Sequence, residues 1–435
     1  MDTKDVGLHK LRYVKVILGN GFDLYCGLHT SYLDFFHQRE DLYKTILAEA
    51  EQTNAYFRDN YISKKKWPCV SDQPPTLTQH NAWDVFFALS FTDDSNRMWC
   101  DIETEISRSL DSPGETIGKD RPNWDLVYQF LQENKNFLGV YSNCFILANF
   151  IKKKKPNLFV SKQDFYVFLL DELKEFEGRF ARFITRQHVV FNGFEAQFNN
   201  DYVTRAHRLL KTLCKLKEIT SIDCFNYGFT PEPVFYNKCN FVNGDCANPI
   251  FGVDSKFNPD ESEYVFTKTN RRIEWEMNRT TLSHHPDFEN AIVFGHSLSE
   301  NDYSYFFPVL DQLEMTNFAS KKKFVIAYCV YNPEKKTEIK SELRHRIYAL
   351  FVAYAKYKGQ SNGPARLLDS LTTQGRVVTV SISPCQEPPP FDEDKIDFWP
   401  PDPRGRSVEE KWGAYAAWAK RMYPLSAAAI HGDVT

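Results

Sequence analysis

Val14-Lys15-Val16-Ile17-Leu18-Gly19-Asn20-Gly21-Phe22-Asp23 runs a short apolar strand directly into a Gly-Asn-Gly turn. The apolar run and its β-branched valines predict a buried strand over residues 13–19, of the kind found in the middle of a parallel sheet. A helical pattern follows in Thr30-Ser31-Tyr32-Leu33-Asp34-Phe35-Phe36. Strand, glycine turn and helix make the geometry that receives phosphates. Glycine lets the backbone approach an anion, and the first N–H groups of a helix point at it. The turn lacks the third glycine of a dinucleotide fingerprint. A second strand and turn far downstream, Ala291-Ile292-Val293-Phe294-Gly295-His296-Ser297-Leu298, strengthens the signal.

Working outward, residues 30–60 read as helix, and residues 80–215 as mostly helical. Phe165 to Leu173, continued by Phe176, Phe180 and Phe183, has apolar positions at helical spacing, as do Leu209, Leu210, Leu213 and Leu216. Such stripes are core faces. Strands return at Ile219 to Phe225, Ala291 to Phe294, Lys323 to Tyr331 and Arg376 to Ser383. Pro333 and Glu334 suit a helix start, and that helical pattern runs to about Tyr357. Strands separated by helices predict an α/β fold: a Rossmann-like parallel sheet flanked by helices, with a large, mainly helical insertion at about 40–215. In such sheets ligands bind at the carboxyl ends of the strands. Lys64-Lys65-Lys66-Trp67-Pro68 and Ser71-Asp72-Gln73-Pro74-Pro75 read as a surface loop. The domain is expected to cover 1–383. Pro388, Pro389 and Pro390, with Trp399, Trp412 and Trp418, mark 384–435 as an extension laid over the body or clamped on a second copy in a homo-oligomer.

The 435 residues allow one large domain or two ordinary ones. A net charge of -4 gives no global basic field, so a dedicated duplex-DNA binder is not expected. Lys152-Lys153-Lys154-Lys155 and Lys321-Lys322-Lys323 read as solvated faces. Aromatic residues at 15% argue for a well-packed chain rather than a disordered one. The opening Met1-Asp2-Thr3-Lys4-Asp5 does not read as a signal peptide, and no apolar run suits a membrane span. A cytoplasmic protein with reduced thiols is the expectation. Cys224, Cys239 and Cys246, with His284 and His285, form the nearest approach to a metal cluster. Without a C-x-x-C pair they read as buried cysteines, and no metal is expected.

Four segments could carry chemistry. Gly19-Asn20-Gly21-Phe22-Asp23 is a backbone cradle for phosphate, with Asn20 or Asp23 offered to a ribose hydroxyl, or else a tight turn capped by the aspartate. Asn226 at a strand end can aim its amide at a ribose or a water, or close an Asx turn. Asn243-Gly244 is first a turn signal. His296, in the turn between Gly295 and Ser297, has the chemistry of an acid, a base or a phosphate donor. It serves equally well as a bond to a neighbouring backbone group. Ser299 or Asn301 is expected to cap a helix beginning near Asp302.

In order, Ile17 to Leu24 with Gly27-Leu28-His29-Thr30-Ser31-Tyr32, Trp99-Cys100-Asp101-Ile102-Glu103, Phe225-Asn226-Tyr227, and Phe294 to Leu298 with Asp302 and Tyr305-Phe306 resemble the bacteriophage abortive infection AbiH family. The resemblance spans roughly residues 14 to 307. It implies an anti-phage role in the infected cell, with a phage-derived trigger or partner. It also implies a distant similarity to sirtuin-like NAD-binding folds. On that analogy Gly19, Asn20 and Gly21 match the glycine loop, Asn226 the strand-end asparagine, and Asn243-Gly244 a His-Gly dipeptide. An asparagine in place of that histidine cannot accept a proton as a base. The absence of zinc-binding Cys pairs argues against deacetylase activity.

Three functions follow. The first is an effector that binds NAD and cleaves its glycosidic bond, with Asn226, His296 and Asp23 as catalytic candidates. Gly19, Asn20, Gly21, Phe22, Asn243, Gly244, Gly295 and Ser297 would then bind the nucleotide. The second is a nucleotide-binding sensor without catalysis, to which Asn243 is no objection. The third, a nuclease or RNA-binding toxin, has only the lysine runs and exposed aromatics behind it.

Overall fold

The structure, a computed structural model, describes residues 11–57, 79–90, 102–110, 122–133, 142–156, 161–192, 195–198, 200–231, 235, 238–254, 263–277, 287–330, 333–359 and 364–383. The chain divides into two compact units. One comprises Met1–Thr30, Ala181–Pro249 and Arg279–Thr435; the other comprises Ser31–Phe180 and Ile250–Asn278.

The first unit is built on strands β1 (Val14–Leu18), β2 (Val189–Asn192), β3 (Glu195–Phe198), β4 (Ile219–Cys224), β5 (Cys239–Phe241), β6 (Asn290–Phe294), β7 (Lys323–Cys329) and β8 (Val377–Ile382). Six of them form one sheet in the order β5-β4-β1-β6-β7-β8, and β2 and β3 pair separately. Every pairing in the large sheet is parallel. Counted along the chain, its order is 3-2-1-4-5-6, the doubly wound arrangement, and it reverses between β1 and β6. All residues of β1 and β6 are buried, as a central strand covered on both faces requires.

The register sets the site. Leu18 lies opposite both Cys224 and Phe294, and Cys224 lies opposite Phe241. Four strands therefore stop at one level. Gly19, Phe225, Val242 and Gly295 line one edge of the sheet. Beneath it, Ile17, Ala291, Val293, Phe324 and Ile326 share one apolar core with Phe306, Leu310, Leu350, Phe351 and Leu371.

The expected strands at 13–19, 219–225, 291–294, 323–331 and 376–383 all form, within two residues of their predicted ends. Three local features differ from expectation. First, the helix after the glycine turn starts at Gly21 itself, running Gly21–Cys26 and ending on Gly27, whose φ of 90° is left-handed. Second, β5 forms where the sequence showed only a turn. Three residues are too few to display a period of two, and only pairing with β4 defines them. Third, the stretch expected to be mostly helical contains the hairpin β2–β3. Each strand has only four residues, too few to break the helical periodicity of the flanking sequence.

In the second unit the expected helix at 30–60 is two helices, Tyr32–His37 and Glu40–Phe57. Ser31 caps the first: its hydroxyl accepts from Asp34 N–H at 3.1 Å, and the Asp34 carboxylate accepts from Ser31 N–H at 3.2 Å. The core is aromatic. Phe86 stacks on Trp124 at 5.0 Å between centroids, and Trp83 and Phe176 are fully buried. The stripe of Phe165, Leu169, Leu173, Phe176 and Phe180 faces inward, as its spacing predicted. Asp84, completely buried, is flanked by the guanidinium groups of Arg39 and Arg179. Glu177 accepts from Arg271 at 3.0 and 2.7 Å and from Phe251 N–H at 2.6 Å. Buried carboxylates need such partners, since an unpaired buried charge is strongly disfavoured.

The Lys64–Pro68 loop, Trp99-Cys100-Asp101, His284, His285 and the 384–435 extension lie outside the described residues.

Candidate functional site at the carboxyl edge of the sheet

The two glycine turns sit directly against each other. Gly19 N–H donates to Phe294 O at 3.0 Å, and Gly21 N–H to Gly295 O at 2.8 Å. Phe22 N–H donates to Gly19 O at 2.9 Å. A Cβ on Gly19 would come within 2.4 Å of His296 Cα, and one on Gly21 within 2.7 Å of Gly295 Cα. The glycines are thus required by backbone-to-backbone packing. Three amides that a phosphate cradle would use already serve carbonyl groups of the protein. Asn20 is half-buried, and its Oδ1 accepts from the Thr30 hydroxyl at 2.9 Å.

Asp23 is wholly buried on the first turn of the short helix. It accepts from Tyr202 Oη at 2.7 Å, Gly228 N–H at 2.9 Å and Thr30 Oγ1 at 3.3 Å. Burial pushes its pKa up to about 7, against the opposing pull of these donors and the nearby Asn226 amide. Gly228 has no room for a side chain, because a Cβ there would meet Asp23 Oδ2 at 2.3 Å.

Asn226 follows β4 and is 1% exposed. Its Oδ1 accepts from the Cys224 thiol, which burial holds in the protonated form. Its amide faces the Asp23 carboxyl and, as a donor to it, opposes the rise in that group's pKa. Asn243 follows β5 and is 7% exposed. Its Nδ2 donates to Phe225 O at 3.1 Å, while its Oδ1 has no donor. Gly244 turns the chain with a φ of 79°. His296 Nδ1 accepts from Leu298 N–H at 2.9 Å, the structural alternative read from the sequence. Its Nε2 faces Asp302 Oδ2 at 3.6 Å, and Phe225 stands edge-on to the ring at 4.4 Å. Ser299 caps a single 3-10 turn, Glu300–Asp302, ahead of the helix Tyr303–Gln312.

The fold therefore gathers Gly19, Asn20, Gly21, Asp23, Asn226, Asn243, Gly295 and His296 along one edge. Phe22 is a core residue, edge-on to Phe229 at 5.4 Å, and Ser297 is exposed on the turn. The sequence reading overlooked Tyr202 and His188. The two rings meet edge-on at 5.4 Å behind Asp23, and burial lowers the His188 pKa to about 4. It also overlooked a buried ion pair between Lys15 of β1 and Asp223 of β4, which Tyr305 Oη and Asn240 Nδ2 join. One charged residue inside each of two apolar strands was the available signal. Cys224 and Cys246 are buried, and among the described residues no group of three could hold a metal ion.

Asp23 gives a pH test. With its pKa raised from 3.8 to about 7, the folded chain keeps a proton that the unfolded chain has already lost. The folded state then binds more protons across that window, so stability falls as pH rises from about 4 to about 7 and levels off above. The full shift corresponds to a loss of the order of 4 kcal/mol. Asp23→Asn should flatten this slope in urea unfolding followed from about pH 4 to about pH 8. An identical slope in both proteins would assign it to other groups.

The family model of bacteriophage abortive infection AbiH matches residues 16–322, from β1 through the helix after β6. The chain belongs to the AbiH family. The match covers well over half of the chain and takes in every candidate residue above. Comparison with curated proteins and with solved structures finds no match. Membership in the AbiH family points to a role in abortive infection of phage-infected cells. Among the described residues no helix is long and apolar enough to cross a membrane.

Proposed function

We propose that this AbiH protein binds a nucleotide of the NAD class at the carboxyl edge of its sheet and cleaves its glycosidic bond during abortive infection. One observation carries the reading: the eight gathered candidates lie at strand ends or, like Asp23, in the helical turn that follows, around the point where the parallel order reverses, where doubly wound sheets bind nucleotides. The buried, unpartnered Asn243 Oδ1 fits a ligand with a hydrogen-bond donor. The amides of Gly19, Gly21 and Phe22 are engaged, so in this reading the ribose and base, rather than the pyrophosphate, face the turn.

The chemistry requires little acid–base work. The bond from ribose C1′ to the pyridinium nitrogen breaks, its electron pair neutralises the departing nicotinamide, and water adds to C1′. Asn226 orients that water. The proton leaves to solvent. Asp23 contributes negative potential from beneath the ribose, strongest when ionised. Cytoplasmic action and a phage-derived trigger belong to the same proposal.

Purified protein incubated with NAD should release nicotinamide and ADP-ribose, and Asn226→Ala should abolish release, a loss of at least about a hundredfold, while thermal unfolding stays cooperative. Undiminished turnover in Asn226→Ala would remove that residue from the mechanism. A second reading, reversible retention of intact nucleotide, is favoured by the engaged His296 Nδ1 and by Asn243 standing where a base is expected. Tight binding with no product, in infected-cell lysate as well, would select it.

A further inference from the structure

The two oxygens of the buried Asp23 carboxyl have different neighbours. Oδ1 accepts from Tyr202 Oη at 2.7 Å. Oδ2 accepts from Gly228 N–H at 2.9 Å and lies 3.3 Å from Thr30 Oγ1. The Asn226 amide is a further donor to the carboxyl. These donors are unequal. Thr30 has a single hydroxyl proton, and Asn20 Oδ1 lies nearer to it at 2.9 Å. With its proton on Asn20, Thr30 Oγ1 can accept from a protonated Asp23, so it suits the neutral acid as well as the carboxylate. Tyr202 stands closer to the carboxyl than Gly228 or Thr30 does, and burial holds its phenol protonated far above neutral pH. Tyr202 lies on the helix Asn200–Leu213, is completely buried, and meets the His188 ring edge-on at 5.4 Å.

We infer that Tyr202 is the positioning residue of this site: its hydroxyl fixes the Asp23 carboxylate and sustains the negative charge that the proposed reaction draws on. The use made of that charge rests on the proposed NAD reading; the bond that sustains it does not. A hydrogen bond to a carboxylate is stronger than one to the neutral acid, so a donor at 2.7 Å favours ionisation of a wholly buried group. Without it, Asp23 stays protonated to higher pH. Burial keeps the neighbouring Cys224 and Cys246 thiols protonated, and it keeps the His188 imidazole neutral by lowering its pKa to about 4. Cys26, on the same short helix as Asp23, and Arg205, whose guanidinium lies against Gly27, are further ionisable neighbours. Both are unchanged in the variants below.

The test is urea unfolding of the full chain from about pH 4 to about pH 9 for wild type, Tyr202→Phe, Asp23→Asn and the double variant. The Asp23 contribution to wild-type stability levels off near its folded pKa of about 7. In Tyr202→Phe it should level off about one pH unit higher, the difference between a hydrogen bond to a charged and to a neutral group. The stability lost in Tyr202→Phe therefore grows with pH, and in the Asp23→Asn background it is the same at every pH. A loss independent of pH in both backgrounds is what a merely structural tyrosine gives, and it would overturn the inference. If Tyr202→Phe does not fold, fluorotyrosine in place of Tyr202 keeps the ring and the hydroxyl and donates more strongly. The levelling point then moves to lower pH, and an unmoved point would overturn the inference equally. Where NAD is turned over, the rise of kcat with pH should move up by the same amount in Tyr202→Phe; an unmoved profile would remove Tyr202 from the reaction. No turnover at any pH would count against the NAD reading, while the unfolding series would still decide whether Tyr202 sustains the Asp23 charge.

Discussion

Gly295→Ala is expected to destabilise the first unit by roughly 3–5 kcal/mol and to abolish nucleotide binding with it. Two effects combine. The φ of +69° is a left-handed conformation that a Cβ disfavours by about 1–2 kcal/mol. The same Cβ would stand 2.4 Å from Phe22 N and 2.6 Å from Gly21 C. Those are backbone atoms, held by the Gly21-to-Gly295 hydrogen bond, so they cannot swing aside as a flexible side chain would. The turns must separate, and the strand ends with them. Gly359→Ala is the control. Its φ of +71° is nearly the same, but a Cβ there meets nothing within 4 Å. It should lose only the conformational part, about 1–2 kcal/mol. Chemical denaturation of both variants separates strain from collision, and equal losses would show that the packing of the two turns is unimportant.

The second large effect concerns the ion pair inside the sheet. Asp223→Ala leaves the Lys15 ammonium buried in a central strand with the Phe288 ring 5.0 Å away, and is expected to lose about 3–5 kcal/mol. Lys15→Met strands the carboxylate instead, although Tyr305 and Asn240 still donate to it, so its loss should be smaller. The double variant Lys15→Met with Asp223→Leu removes both charges and should be more stable than Asp223→Ala alone. Strictly additive losses in this cycle would mean that the two groups do not interact. The pair also bears on the site. Tyr305 packs edge-on against Phe225 at 4.6 Å, and Phe225 holds Asn243 through its carbonyl and His296 through its ring. Disturbing Asp223 should therefore weaken nucleotide binding beyond what lost stability accounts for.

Much of the candidate site was legible because its residues lie in strand-to-turn junctions, and junction chemistry is local. A run such as Val14 to Leu18 followed by Gly19-Asn20-Gly21 announces a buried strand and an abrupt turn without reference to the rest of the chain. The same holds for Asn226 and for Gly295-His296. Tyr202 and His188 were not legible. A tyrosine in an amphipathic helix carries no mark of the buried carboxyl that it serves 179 positions away in sequence.

The sequence by itself determined that there is a buried parallel sheet, where five of its six strands run, and that glycine and asparagine occupy their ends. Strand periodicity and turn preference are properties of a few adjacent residues, so they survive without tertiary context. Only the tertiary structure decided what those residues do. Pairing in the 3-2-1-4-5-6 order brought Gly19 and Gly295 into backbone contact, which made their missing side chains a packing requirement. Burial raised Asp23 towards neutrality, and the Phe225 carbonyl at the end of the neighbouring strand fixed which atom of Asn243 is left to a partner. Desolvation and hydrogen-bond complementarity depend on everything within a few ångströms, and that neighbourhood exists only once the chain has folded.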